Sequence, residues 1–274
     1  MSGKRGRASA AVAALLALCS PLDAQSAPGY SAALLACSSF HESVRSNLTL
    51  QATGRTASAS SGRESHLIVA AIASPTPPQL LLAAWFDSLR VWRSAAGDRV
   101  EPDASGVLGG RYRGVLLPDG SFHTQVLPFV PQPVREVTDL SGTLEDMFPR
   151  LPPRMLQVGE EWRSGDSIAI KRLSDSASLH RYRVQVMRRG SVSPPPGDTL
   201  TPTYARTLND RGVAAWDPLR GPVRYDHEVT VEASVPVGGA IRSPARSLVE
   251  QQIVLERGDD PPPATCPASL FAEP

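Results

Sequence analysis

Apolar and polar residues alternate with a period of two along much of the chain. The clearest run begins at Tyr225. Tyr225, His227, Val229, Val231, Ala233 and Val235 fall on one face, and Asp226, Glu228, Thr230, Glu232 and Ser234 on the other. Alternation of this length predicts a half-buried antiparallel strand, because successive side chains of a pleated strand point to opposite faces. Tyr182, Val184 and Val186 alternate with Arg181, Arg183 and Gln185, and Val249, Gln251, Ile253 and Leu255 mark another strand less cleanly. In the N-terminal half, Leu48, Leu50 and Ala52 alternate ahead of Gly54, and Leu67 to Ala73 is a continuous apolar run suited to a buried strand. Tyr112 to Leu117 leads through Pro118-Asp119-Gly120 to a returning strand with Phe122, Thr124 and Val126. That triplet and Trp216-Asp217-Pro218-Leu219-Arg220-Gly221 carry turn chemistry.

Two segments read differently. Leu80 to Arg93 places Leu81, Trp85, Leu89 and Trp92 at helical spacing between Pro78 and Gly97. Its neighbours are all β, so a strand is expected there. The best helix is central: Leu140, Leu144, Met147 or Phe148, and Leu151 recur every three or four residues. Ser141 or Thr143 is placed to cap it, and Pro149 and Pro152-Pro153 to end it. The 26 prolines break the rest into short blocks, which suits many strands better than a helical bundle. The expected fold is mainly β: an antiparallel curved sheet or half-barrel with a short central helix against its concave face. A two-sheet β-sandwich is the alternative.

The first residues set the compartment. Lys4, Arg5 and Arg7 precede an apolar run from Ala8 to Cys19 broken only by Ser9, followed by Pro21 and Ala24. A basic stretch, a short apolar stretch and a small residue after a helix breaker make a secretory signal, and the run is short for a bilayer span. Residues 1–24 are therefore expected to be a signal peptide cleaved after Ala24, residues 25–257 a single β-rich domain and residues 258–274 a Pro-rich tail. Cys19 does not fit a lipidation signal, since Leu18 before it is not small. No later segment is apolar enough to cross a membrane, and a periplasmic or extracellular location follows. Two cysteines, Cys37 and Cys266, survive processing near the two ends of the chain. An oxidising compartment favours a disulfide between them.

Charge adds an exclusion. The whole chain carries a formal +1, and loss of the signal leaves it close to neutral. Lys4 and Lys171 are the only lysines, and the arginines are spread along the chain rather than clustered. Nothing in this favours nucleic acid as a partner. Arg181, Arg183, Arg188 and Arg189 form the densest basic group, most simply a solvated strand face.

No catalytic or metal motif stands out. Gly-x-Ser-x-Gly is absent. Ser-x-x-Lys fails because Ile168 stands three residues before Lys171. His41-Glu42 leads to Arg45, and His227-Glu228 leads to Val231, so neither is a helical zinc motif. Gly109-Gly110 lacks the Lys-Ser/Thr of a phosphate loop, and Asp139 and Asp146 lack the alternating acids of a calcium loop. Neither metal nor cofactor is expected. Among the histidines, His227 sits on the apolar face of its strand, where a hydrogen-bonded core residue is the simplest account. Trp85, Trp92, Trp162 and Trp216 each offer a large apolar face with one donor. Trp85, Trp92 and Trp162 are the candidate ligand-binding residues, with core filling as the competing account.

The stretch Leu151-Pro-Pro-Arg-Met-Leu-Gln-Val-Gly-Glu-Glu-Trp162, followed later by Trp216-Asp217-Pro218-Leu219-Arg220-Gly221, resembles a pattern in uncharacterised exported bacterial β-rich proteins, known only as domains of unknown function. The resemblance implies an exported β-domain and carries over no site. Gly159 would permit a turn there, and Trp162 would anchor the incoming strand in the core.

The expected function is that of a non-catalytic envelope or secreted protein that binds a lipid or other apolar ligand, or another envelope protein. One alternative is a hydrolase with an unrecognised site built on His123, His180 or His227. Another is a structural component of a surface assembly held by edge-strand pairing.

Overall fold

The computed structural model describes residues 27–192, 203–235 and 245–259. The expected signal peptide, Cys266 and the tail beyond residue 259 lie outside the described residues. The strands are β1 (Ser38–Ala52), β2 (Arg55–Ala73), β3 (Leu80–Ala95), β4 (Asp98–Val100), β5 (Arg111–Leu116), β6 (Phe122–Val126), β7 (Glu161–Ser164), β8 (Ile168–Arg172), β9 (His180–Val192), β10 (Tyr204–Asp217), β11 (Gly221–Val235) and β12 (Ala245–Arg257). Two short helices, α1 (Gln132–Arg135) and α2 (Thr143–Met147), lie between β6 and β7.

The strands form one antiparallel sheet in the order β6-β5-β3-β2-β1-β12-β11-β10-β9-β8-β7, with β4 beside β3. It is open and curved. The first and last strands, β1 and β12, pair at its centre from Phe40↔Arg257 to Ala52↔Ala245. Each half is a meander of sequential neighbours. The two edge strands, β6 and β7, are consecutive in the chain, so the segment 127–160 must travel from one edge to the other. It does so across one face of the sheet, the inner face, and carries both helices with it.

That crossing makes the core. Phe40, Leu67, Val69, Leu82, Phe86, Tyr112, Tyr182, Trp216, Tyr225 and Leu255 from the sheet pack against Val134, Leu140, Leu144, Met147, Phe148, Leu151 and Leu156 of the segment. An irregular backbone buried on a sheet must still satisfy its carbonyls, and side chains reach up to do so. Arg93 Nη1 donates to Glu136 O at 2.9 Å, Tyr112 Oη to Leu140 O at 2.9 Å, and Tyr30 Oη to Pro149 O at 2.8 Å. Arg172 Nη1 donates to Leu156 O at 3.1 Å.

The leading sequence expectations hold for Leu80–Ala95, which is a strand, and for the alternation at Tyr225, which belongs to β11. The central helix is far shorter than its spacing predicts. Only Thr143–Met147 is helical, its cap position is Gly142 rather than Ser141 or Thr143, and Phe148 is already extended ahead of Pro149. The apolar spacing is nevertheless used: Leu140, Leu144, Met147, Phe148 and Leu151 are all buried. Gly159 takes a positive φ in the turn before β7, and Trp162 packs half-buried against the core.

Candidate cleft on the inner face

The inner face remains apolar beyond the reach of the covering segment. On β11 the inward residues run Tyr225, His227, Val229, Val231, Ala233, Val235, and the register aligns them with Leu255, Ile253, Gln251, Val249, Ser247, Ala245 of β12. These align in turn with Glu42, Val44, Ser46, Leu48, Leu50, Ala52 of β1. Burial fades along each row. Tyr225, His227 and Val229 are buried, Val231 to Val235 are half-buried, and Leu50 is 46% exposed. The outward residues of the same rows, such as Asn47, Glu232, Ser234 and Glu250, are mostly polar, Leu248 and Val254 of β12 being the exceptions. An apolar face turned inward and left partly uncovered is the feature that marks a site.

A cleft of about 880 Å³ opens there. Val44, Leu48, Leu208, Val229, Val231, Val249 and Ile253 form its sheet wall, and Thr124, Leu127, Val137, Thr138, Asp139, Thr143, Glu145 and Asp146 its opposite wall. Residues of six neighbouring strands, β2, β1, β12, β11, β10 and β9, border this one space, which requires the sheet to curl around it. Val44, Val229 and Ile253, with Leu208 and Val231 against them, form an apolar cluster separate from the main core. The volume falls in the range of small-molecule sites.

Charged groups are buried where the cleft meets the covered core. Arg63 makes a two-pronged ion pair with Glu42, Nε to Oε2 at 2.8 Å and Nη2 to Oε1 at 2.7 Å, and Ser65 Oγ donates to the same carboxylate at 2.8 Å. Arg63 and Glu42 are almost wholly buried. On the next strands His227 Nδ1 donates to Asp210 Oδ1 at 2.9 Å, and its ring stacks on Tyr225 with centroids 4.1 Å apart. A carboxylate partner requires the proton on Nδ1. Nε2 is buried, and among the described residues no side chain or backbone group bonds to it. Asp146 of α2 stands over this group. Burial pushes its carboxyl up to about 6, Asp210 and Glu145 adding to the rise and His227 and Arg63 opposing it.

The histidines proposed for hydrolysis are scattered. His227 has its acid in Asp210 but, among the described residues, no hydroxyl or thiol in hydrogen-bond reach of Nε2. His180 joins Arg172 and Asp175 in a separate cluster that fastens residues 155 and 156 to β8. His123 is exposed on β6. His41 and His66 stack face to face on the outer side, where His66 also meets Asp87 at 3.2 Å. Among the described residues no group of His, Cys, Asp or Glu is arranged to hold a metal ion.

The structure does not bring Trp85, Trp92 and Trp162 together. Trp85 packs with Ile68, Ala70 and Cys37 on the outer face. Trp92 is also on the outer face, flat over Gly62 between Arg90 and Arg99, at the rim of a shallow polar depression. Trp162 is at the β7 edge, and Trp216 is in the core. None of the four lines the inner cleft. The parity of Trp85 and Trp92 depends on an extra residue in β3, where the register shifts opposite His66 and Leu67. Alternation alone does not reveal such a bulge. Arg183 is exposed, as a solvated face requires, whereas Arg188 turns inward to the cleft, paired in register with Leu208.

No family model and no curated protein matches the chain. Among solved structures, it aligns with a lipovitellin chain studied for lipid–protein interactions at 8% identity and a TM-score of 0.42, over 84% of this chain and 26% of that one. It aligns with a DUF1329 family protein from Desulfovibrio piger at 9% identity and a TM-score of 0.14, over 86% and 90% of the two chains. The secretin β-barrel domain of InvG from the Salmonella injectisome aligns at 11% identity and a TM-score of 0.16, over 85% and 64%. The chain spans about a quarter of the lipovitellin chain. Among the described residues no helix is long and apolar enough to cross a membrane.

Proposed function

We propose that this protein is an exported, non-catalytic binding protein that holds an apolar, lipid-like ligand in the inner-face cleft. One observation carries the reading: the inward rows of β1, β11 and β12, with Leu208 of β10, stay largely apolar where the covering segment no longer reaches them, Ser46, Gln251 and Ser247 being the polar members. At roughly 25 cal/mol per Å² of apolar surface removed from water, covering such a face is favourable by several kcal/mol. Export is supported by the basic and apolar pattern of the first residues. A disulfide between Cys37 and Cys266 belongs to the same reading, and intact-mass measurement with and without reductant reads it.

The test uses N-phenyl-1-naphthylamine, an uncharged apolar fluorophore, titrated into the mature protein. Saturable binding is expected. Val249→Glu places a carboxylate in the sheet wall, with no arginine opposite or diagonal to it, and is expected to weaken it at least about tenfold, given the cost of burying a charge without a partner. Ser234→Glu, on the outer face of the neighbouring strand β11 and opposite Arg246, is expected to leave it unchanged. Absence of saturable binding, or equal binding by both variants, overturns the reading. Concentration-dependent self-association without probe binding would favour the structural-assembly alternative instead.

A further inference from the structure

The charge around the cleft is unevenly distributed. Its acidic groups, Asp139, Glu145 and Asp146, belong to the covering segment at the covered end. Arg63 at that end is neutralised by Glu42, and the exposed inward-facing arginines are at the other end. Arg188 of β9 pairs in register with Leu208, and Arg206 of β10 pairs with Gly190. The two are thus diagonal neighbours on the same face, one step apart along adjacent antiparallel strands, and side chains this placed are in mutual reach. Both are exposed, both border the cleft, and among the described residues neither is in an ion pair. Some other surface arginines are matched, as Arg90 is with Glu101 and Arg224 with Asp226, whereas Arg45, Arg183 and Arg189 also make no ion pair among the described residues. Between Arg206 and the buried His227 the sheet wall offers Leu208, Val229 and Val231, all apolar.

From this we propose that the ligand is an anionic amphiphile, its phosphate or carboxylate head held by Arg188 and Arg206 and its hydrocarbon chain laid along Leu208, Val231 and Val229 toward α2. The inference rests on the apolar-ligand reading of the same cleft. Two guanidinium forks converging on one anion suit a phosphate or carboxylate, because planar paired donors match planar or tetrahedral oxyanions. The acids at the covered end fix the direction, since an anionic head placed there would lie against Glu145 and Asp146. A head group at the mouth keeps its remaining oxygens in water, so little desolvation opposes binding.

The experiment displaces N-phenyl-1-naphthylamine from the mature protein with three single-chain amphiphiles of equal length below their micelle concentrations: dodecyl phosphate, dodecanol and dodecyltrimethylammonium. Dodecyl phosphate is expected to bind at least about tenfold more tightly than dodecanol, in line with hydrogen bonds to charged groups, and dodecyltrimethylammonium more weakly than either. Arg188→Gln with Arg206→Gln is expected to remove the preference for phosphate and leave the dodecanol affinity unchanged. Arg188→Lys with Arg206→Lys is expected to keep part of it. Rising salt is expected to weaken dodecyl phosphate alone. Equal displacement by all three, unaffected by the Gln variants, overturns this proposal while the apolar-ligand reading stands. Probe binding that no amphiphile displaces overturns the proposal, and absence of probe binding overturns both. Inorganic phosphate followed by calorimetry is expected to give no binding heat. A heat matching that of dodecyl phosphate would make this a site for free anions and overturn the proposal.

Discussion

His227 and Gly212 stand directly opposite one another on β11 and β10, and the His227 Cβ and the Tyr225 ring fill the room that a side chain at 212 would need. A Cβ at residue 212 would lie 2.7 Å from both Asp226 O and Tyr225 Cε2, and against His227 Cβ. Two of these neighbours are backbone or backbone-bound atoms that cannot swing away. Gly212→Ala is expected to destabilise the fold by about 1–3 kcal/mol, read as a lower urea midpoint with an unchanged slope. It is also expected to disturb the Asp210–His227 bond, visible as a shifted imidazole resonance.

A second crowded glycine predicts a milder outcome. At Gly62 the atoms in the way belong to the Trp92 ring, which sits on the outer face and has solvent to move into. Gly62→Ala is expected to cost less than Gly212→Ala and to red-shift the tryptophan emission as the indole lifts away. A change as large as that of Gly212→Ala, with no red shift, would contradict the mobility assigned to Trp92.

The Arg63–Glu42 pair is nearly dry, so breaking it on one side leaves a charge without a partner. Glu42→Gln is expected to cost about 3–5 kcal/mol. Replacing both residues with methionine is expected to recover most of that loss, because the penalty belongs to the stranded charge. Added salt is expected to alter the wild-type stability little through this pair, since a buried pair is poorly screened. A loss from Glu42→Gln that is under 1 kcal/mol would mean that water reaches the guanidinium.

Asp146 gives a pH dependence with a definite sign. Its carboxyl, ordinarily near 3.8, is pushed up to about 6 by burial. The folded state therefore binds this proton more tightly than the unfolded state. The stabilisation is complete below about 3.8 and is lost as pH rises through about 6. Asp146→Asn is expected to be more stable than wild type above pH 6, with the difference shrinking on acidification. Chemical denaturation from pH 4 to 8 on both proteins checks it. A difference that grows as pH falls would reverse the sign and refute the burial argument.

The fold was largely legible and the site was not. Alternation in β9 and β11, the Pro-Asp-Gly turn and the density of prolines are local signals, and they gave an antiparallel sheet. The spacing from Leu140 to Leu151 predicts a longer helix than forms, because a chain crossing a sheet must also drop an apolar residue into the core every few positions. Prolines 149, 152 and 153 let it do so in extended form. The cleft eluded the sequence for a different reason. The apolar run from Val229 to Val235 is visible, but nothing local says that the covering segment stops short of it. The meeting of Asp210 with His227, or of Arg188 with Arg206, depends on register between strands, which no single strand records.

The pairing of β1 with β12 bears on the timing of folding. A chain emerging N-terminus first presents β1 with one edge unmatched until Arg257 has been made, and residues 127–160 have no far wing to lie across until β7 to β11 exist. Contacts between β1 and β12 carry the highest sequence separation of the strand pairs among the described residues, so they form late. The sheet therefore assembles from its two halves inward, and its central seam forms only after Arg257 has been made.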